Sequence, residues 1–101
     1  MDTKTLIAEA KARFNHNSAK AYLKNKYDSK FIVADQSGLW RANLETINFL
    51  NSSTAEWVIL IDTFDNPVQV NRTKLYELLL ATYTNVMEEW HSEWTLLEGK
   101  R

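Results

Sequence analysis

EWVILIDTFDNPVQVN, residues 56–71, is the stretch that decides the fold of this protein. A run of β-branched and aromatic residues, Glu56–Phe64, leads into a polar corner around Asn66-Pro67, and Val68–Asn71 then alternates apolar and polar residues. β-branched and aromatic residues favour strands, and a cluster of Asp, Asn and Pro favours a turn. We therefore predict two antiparallel strands joined as a hairpin, with Pro67 at a strand entry or on an edge.

Helical patterns flank this hairpin on both sides. Before residue 28, apolar residues recur at helical spacing with an interruption at residues 15–18, which fits one kinked helix or two short ones. After residue 72, apolar residues follow steps of three and four, which predicts a long helix over residues 73–98. The residues of this C-terminal stripe are Leu75, Leu79, Tyr83, Val86, Trp90, Trp94 and Leu97.

The segment between the first helical region and the hairpin is less regular. Lys30–Asp35 and Leu39–Ala42 read as strands around a turn in which Gly38 can supply a positive φ. Residues 43–53 fit either a short helix capped by Asn43 or a further strand. The expected architecture is α+β in a single domain of 101 residues: a helical arm (1–28), a small curved antiparallel sheet (30–71) and the C-terminal helix (73–98).

The composition is typical of a folded globular domain, at 45% hydrophobic and 25% charged residues. Since the chain has no cysteine, a disulfide, a thiolate metal site and a thiol nucleophile are excluded. The longest apolar run, Trp57–Ile61, is far too short to span a membrane, and no apolar leader opens the chain. We expect a soluble, cytoplasmic protein.

No catalytic or metal-binding pattern is evident. His16 and His91 are far apart in sequence and have no acidic partners at ligand spacing, and two glycines cannot form a Gly-rich phosphate loop. Asp62 and Asp65 flank the hairpin corner, where such residues usually bond to their own backbone. The sequence therefore predicts a protein that is not an enzyme and holds no metal and no cofactor.

Charge is distributed unevenly along the chain. Residues 1–41 carry eight Lys/Arg against four acids, a balance of +4, and residues 42–101 carry four against nine, a balance of −5. Either a basic N-terminal helix lies beside an acidic C-terminal one, or the basic half meets phosphate. Cations near an aromatic ring suit single-stranded nucleic acid, although a buried Trp with solvated neighbours gives the same pattern. The candidate nucleic-acid-binding residues are Lys30, Trp40, Arg41, Arg72 and Lys74.

The C-terminal helix is long for the core that it serves. A helix of about 25 residues extends roughly 37 Å, which is more than a small sheet can cover. Part of its apolar stripe therefore needs a partner, either the first helix or another subunit. We predict a homo-oligomer in which Tyr83, Trp90 and Trp94 lie at the interface.

The chain resembles two known groups of proteins, the first over nearly its whole length. Gly38-Leu39-Trp40, Val58–Asp62 and Asn66-Pro67-Val68, followed by a Trp-bearing helix, together resemble small uncharacterised proteins of marine cyanophages. The order of elements also resembles the Sm/LSm barrel, whose five strands would require residues 43–50 to be a strand. No site residue is carried over by motif.

These resemblances imply a non-enzymatic, homo-oligomeric Sm-like module. Such a module would form a ring and bind RNA or single-stranded DNA in the cytoplasm of an infected host cell. The alternative is a structural or protein–protein interaction subunit of a phage, with no nucleic-acid role.

Overall fold

A computed structural model describes the backbone of residues 3–99 and the side chains of residues 16–99. It is an α+β structure, as predicted, in which a long C-terminal helix follows two β-hairpins. In chain order the elements are α1 (Thr3–Asp28), a 3₁₀ turn (Ser29–Phe31), β1 (Ile32–Asp35), β2 (Gly38–Arg41), α2 (Leu44–Ser52), β3 (Trp57–Ile61), β4 (Pro67–Asn71) and α3 (Arg72–Gly99).

The N-terminal segment is one continuous helix. Residues 15–18 have modest helix propensity, yet α1 passes through them without a break. The turns that follow bury Leu23 and Tyr27 in the core, and such tertiary packing outweighs local propensity. The side chains of the first apolar residues lie outside the described part of the chain.

The turn between β1 and β2 differs from the prediction. Gln36 and Ser37 take the positive φ values, 49° and 65°, whereas Gly38 does not, so the predicted role of Gly38 is wrong. Two positive φ values in a two-residue loop are typical of the hairpin turn whose twist matches its strands. Gly38 is needed for another reason: a Cβ at this position would overlap the indole ring of Trp40.

The ambiguous segment is a helix. The Asn43 side chain accepts a hydrogen bond from the Thr46 N–H at 2.8 Å, which caps α2, and Ile47 and Leu50 face the core. Residues 43–50 therefore do not supply a strand. Between residues 3 and 99 the strands form two separate two-stranded sheets, β1–β2 and β3–β4, and no closed barrel.

The β3–β4 hairpin confirms the central prediction, although β3 ends at Ile61 rather than at Phe64. Trp57 lies opposite Asn71 and Ile61 lies opposite Pro67, which opens β4 as expected for a residue that cannot donate a ladder bond. The Asn71 side chain then accepts a bond from the Lys74 N–H at 3.0 Å and starts α3.

The core surrounds the first half of α3. Leu75 and Leu79 are fully buried there, and α1, α2 and both hairpins contribute the remaining side chains. The Cα radius of gyration is 19.4 Å, against about 13 Å for a compact chain of this length, so the molecule is elongated. The other buried hydrophobic residues are Leu23, Tyr27, Phe31, Trp40, Ala42, Ile47, Leu50, Val70 and Val86.

Candidate docking surface

Three of the candidate nucleic-acid-binding cations contact other parts of the chain. Lys30 Nζ lies 3.4 Å from Glu89 Oε2, and Arg41 Nη1 lies 3.1 Å from Asp28 Oδ1. Arg72 donates hydrogen bonds to the carbonyl oxygens of Ala55 at 2.8 Å and Leu50 at 2.9 Å. These side chains therefore hold the elements of the fold together.

The other two candidates differ in accessibility. Trp40 is only 3% exposed, and its indole N–H donates to the Asp35 carbonyl at 2.8 Å. A ring buried in this way cannot stack on a base. Of the two interpretations of Trp40 given above, the structure matches the buried one. The Lys74 side chain is exposed and makes no hydrogen bond or ion pair with any described residue. The five residues do not form one continuous surface.

The uneven charge distribution is explained in part by the pairing of α1 with α3. Lys26 Nζ and the Tyr27 hydroxyl both donate to Glu93 Oε1 at 2.5 Å, and Lys30 reaches Glu89 from the same side. The hydrogen bond from Lys26, joined by that from Tyr27, lowers the pKa of Glu93. The bond to Glu93 also raises the pKa of Tyr27 and that of Lys26. The basic helix thus lies beside the acidic one.

The aromatic residues predicted at an oligomer interface pack within the chain. Trp90 stacks on Tyr27 with 6.1 Å between ring centroids, and Tyr83 lies 5.9 Å from Phe31. Trp94 stacks on His91 and remains 38% exposed. The end of α1 and the turn after it therefore supply most of the partner that the long helix needs.

Asp62 joins the two hairpins. Its carboxylate accepts hydrogen bonds from the backbone N–H groups of Phe64 at 2.9 Å, Asn66 at 3.0 Å and Leu39 at 3.2 Å. These bonds, that from Asn66 foremost, lower the pKa of the buried Asp62. The turn interpretation of Asp62 is therefore confirmed, and its contact with Leu39 was not foreseen.

The β3–β4 hairpin leaves one apolar face open. Val58 and Leu60 pack against the core, whereas Trp57, Ile59 and Ile61 point the other way and are 52%, 69% and 70% exposed. Their cross-strand neighbours on this face are Asn71, Gln69 and Pro67. We call this surface, defined by Trp57, Ile59, Ile61, Pro67 and Gln69, the outer face. It carries no charged residue, and Phe64 in the adjoining loop is 70% exposed.

The hydrogen-bond pattern leaves an unpaired edge beside this face. The Arg72 N–H donates to the Glu56 carbonyl and the Asp62 N–H to the Asn66 carbonyl, so even-numbered residues of β3 form the bonded pairs. The backbone groups of Trp57, Ile59 and Ile61 therefore point away from β4. Within residues 3–99 they meet no backbone partner.

The matching edge of β4 is protected. Pro67 has no N–H, and the Gln36 side chain bonds both backbone groups of Asn71, accepting from its N–H at 2.7 Å and donating to its carbonyl at 3.5 Å. Proline and covering side chains are the usual means by which proteins block edge strands. The two edges of this hairpin are therefore unequal, and β3 carries the open one.

Sequence reasoning predicted β3 but missed its outer face. The signal was the unbroken apolar run Trp57–Ile61, which is typical of strands covered on both faces. A strand with one solvated face alternates apolar and polar residues instead. The sequence of β3 is thus suited to two covered faces, whereas the fold covers only one.

No protein family, curated protein or solved structure matches this chain. In the part of the chain that the structure describes, no three His, Asp or Glu side chains gather into a site that could hold a metal ion. Among the same residues, no helix has the length and apolar character needed to cross a membrane. The candidate functional surface is the outer face, because it exposes three large apolar side chains together.

Proposed function

We propose that this protein is a non-enzymatic protein–protein interaction subunit that docks through the outer face of the β3–β4 hairpin. The observation that carries the proposal is the exposure of Trp57, Ile59 and Ile61 side by side on an uncharged surface. Clustered apolar exposure of this kind is typical of interaction sites, whereas single exposed apolar residues are common everywhere.

The energetic argument is one of magnitude. Complete burial of a large apolar side chain contributes about 1.5–3 kcal/mol, so covering three of them supplies several kcal/mol toward association. Surface ion pairs contribute about 0–1 kcal/mol each, and two of the four candidate cations, Lys30 and Arg41, are already in ion pairs within the chain. The outer face therefore offers more binding free energy than the charged surface.

Site-specific photo-crosslinking tests the proposal. A photoreactive phenylalanine derivative at position 59 should crosslink to a protein in the native host, and the same group at Leu96 should not. Leu96 is a matched control because it is 67% exposed and lies on α3, away from the hairpin. Equal crosslinking at the two positions, or none at position 59, would contradict the proposal.

Binding of RNA or single-stranded DNA by an Sm/LSm-like oligomer of cyanophage type stays a prediction. The exposed Lys20 and Lys24 on α1, and Lys74 at the other end of α3, have no side-chain partner among the described residues, so each is free to contact a phosphate. The internal engagement of Lys30, Arg41 and Arg72 weighs against it.

Titration of labelled single-stranded RNA and DNA tests this second candidate. Electrostatic binding should weaken steeply with added salt, and Lys74→Ala should weaken it further, whereas Lys30→Ala should have a smaller effect because Lys30 is paired with Glu89. A folded protein that does not bind at low salt would exclude it.

A further inference from the structure

The outer face has the composition of a surface that can pack on a copy of itself. All the side chains that define it are uncharged, so two copies can meet there without like-charge repulsion. An isologous contact also needs a surface whose halves match under a two-fold rotation. The exposed residues of β3 satisfy this requirement because Trp57 and Ile61, both large and apolar, lie on either side of Ile59.

We infer that the occupant of the outer face is a second copy of this chain, packed face to face about a two-fold axis in the interface, at right angles to β3. Ile59 then lies over its counterpart, and Trp57 lies over the partner's Ile61. The inference rests on the proposed function and names the partner.

Charge at the two ends of the hairpin favours this orientation. The end at Asn71 carries two cations, Arg72 and Lys74, and two acids, Glu56 and Asp35, a balance of 0. Asp35 belongs to this end because the Gln36 amide donates to its carboxylate at 3.1 Å and to the Asn71 carbonyl at 3.5 Å. The corner at the other end carries Asp62 and Asp65, a balance of −2. Because the axis reverses the strand direction, the acidic corner of each copy lies over the neutral end of the other, and the two acidic corners are kept apart.

The exposed area is sufficient for a specific dimer. Trp57, Ile59 and Ile61 are 52–70% exposed, so each has on the order of 100 Å² to lose, or about 600 Å² for two copies. Pro67, Gln69 and the backbone of both strands bring the total to about 1,000 Å², the lower limit for a specific interface.

The dimer is expected to form through the outer face and not through the open edge of β3. Pairing two β3 edges would exchange hydrogen bonds to water for hydrogen bonds between copies, a small net gain. It would also leave both apolar faces in contact with solvent. Face-to-face packing removes that area from water, and this is the larger effect.

Sedimentation velocity of the full chain from micromolar to millimolar concentration tests the inference. The wild type should form a dimer, and Ile59→Lys should raise the dimer dissociation constant at least 100-fold by placing two ammonium groups against each other. Leu96→Lys, the control on α3, should leave the dissociation constant unchanged. Circular dichroism establishes that both variants are folded.

The lack of cysteine in the chain permits a second measurement on a different readout. A bis-maleimide reagent with a span of about 10 Å should join Ile59→Cys rapidly into a covalent dimer, because the two-fold axis passes near this position and facing sheets lie about 10 Å apart. Leu96→Cys should not be joined. With the same reagent, a mixture of Trp57→Cys and Ile61→Cys should give mixed crosslinked dimers in preference to either homodimer. Edge-to-face or parallel arrangements would not give this preference.

The possible failures are distinguishable. A wild type that stays monomeric at millimolar concentration, or a dimer that Ile59→Lys leaves intact, would overturn the inference. If position 59 nevertheless crosslinks to another protein in the host, the proposed function stands with a different partner. If position 59 gives neither a dimer nor a crosslink, both fail.

Discussion

Gly38 illustrates how one residue can be required by a neighbour rather than by its own backbone. Its φ is ordinary, but the Trp40 indole fills the space where a Cβ would stand. We expect Gly38→Ala to lower the free energy of unfolding by about 1–3 kcal/mol, the usual cost of overpacking. Urea denaturation measures the change.

The chain supplies its own control for this prediction. An added Cβ at Gly99 meets no atom within 4 Å, so Gly99→Ala should change the free energy of unfolding by less than about 1 kcal/mol. Equal effects of the two substitutions would show that backbone entropy, and not contact with Trp40, sets the cost at Gly38.

Asp62 connects residue chemistry with pH. Its pKa is lowered because the carboxylate accepts backbone bonds from Asn66, Leu39 and Phe64. A group with a lowered folded-state pKa stabilises the protein above its unfolded pKa of about 3.9, and this contribution is lost as the pH falls through the folded value. Asp62→Asn should therefore be less stable than the wild type at neutral pH, and the difference should shrink in acid.

Chemical denaturation of both proteins at several pH values measures that difference. Asp65→Asn is the matched control, since Asp65 lies in the same corner, is exposed and has a φ of 63°, which Asn tolerates well. The free energy of unfolding of Asp65→Asn should equal that of the wild type at every pH tested. A stability gap for Asp62→Asn that is the same in acid as at neutral pH would mean that its charge is unimportant.

At the scale of elements, the contact between α1 and α3 depends on a buried hydroxyl. Tyr27 is 2% exposed, stacks on Trp90 and donates to Glu93. The bond to Glu93 raises the pKa of Tyr27, so its contribution is complete below the unfolded pKa of about 10 and is lost as the pH rises through the folded value. Tyr27→Phe should be less stable than the wild type at neutral pH.

This stability gap should close in strong alkali, where the wild-type hydroxyl ionises. Thermal denaturation from neutral to alkaline pH tests the pattern. Tyr22→Phe serves as the control because Tyr22 lies on the same helix and is 66% exposed, so its loss should leave the melting temperature unchanged. If Tyr27→Phe leaves the melting temperature unchanged, the hydrogen bond from Lys26 is sufficient to position Glu93.

At the scale of the whole molecule, elongation follows from the long antiparallel helices. Small-angle scattering of Ile59→Lys, at concentrations where it is monomeric, should give a radius of gyration near the 19.4 Å of the structure. A value near 13 Å, expected for a compact chain of this length, would contradict the arrangement of α1 along α3.

The strongest periodic signals predicted their elements well. The apolar stripe of α3 and the β-branched run of β3 each reflect a local geometry repeated over many residues, and such repetition survives in any tertiary setting. The strand ends were less predictable because Asp62 terminates β3 by bonding to the corner and to Leu39. That contact joins residues far apart in sequence.

The candidate nucleic-acid residues show the limit of composition. Trp40, Arg41 and Arg72 have the right chemistry, but whether such a side chain faces solvent or the core depends on what packs over it. Here Trp40 lies over Gly38, and Arg72 bonds the carbonyl groups that end α2 and precede β3. The same residue types would serve equally well in a binding surface.

The sequence by itself determined the α+β class, the long final helix and the central hairpin, because helix and strand periodicity are properties of the local chain. Only the tertiary structure decided that α1 and the turn after it cover Trp90 and Tyr83, that α2 is a helix, and that β3 keeps one apolar face uncovered. Those outcomes depend on which distant segments compete to cover each apolar surface. In this chain the helices cover one another and nothing within residues 3–99 covers the outer face.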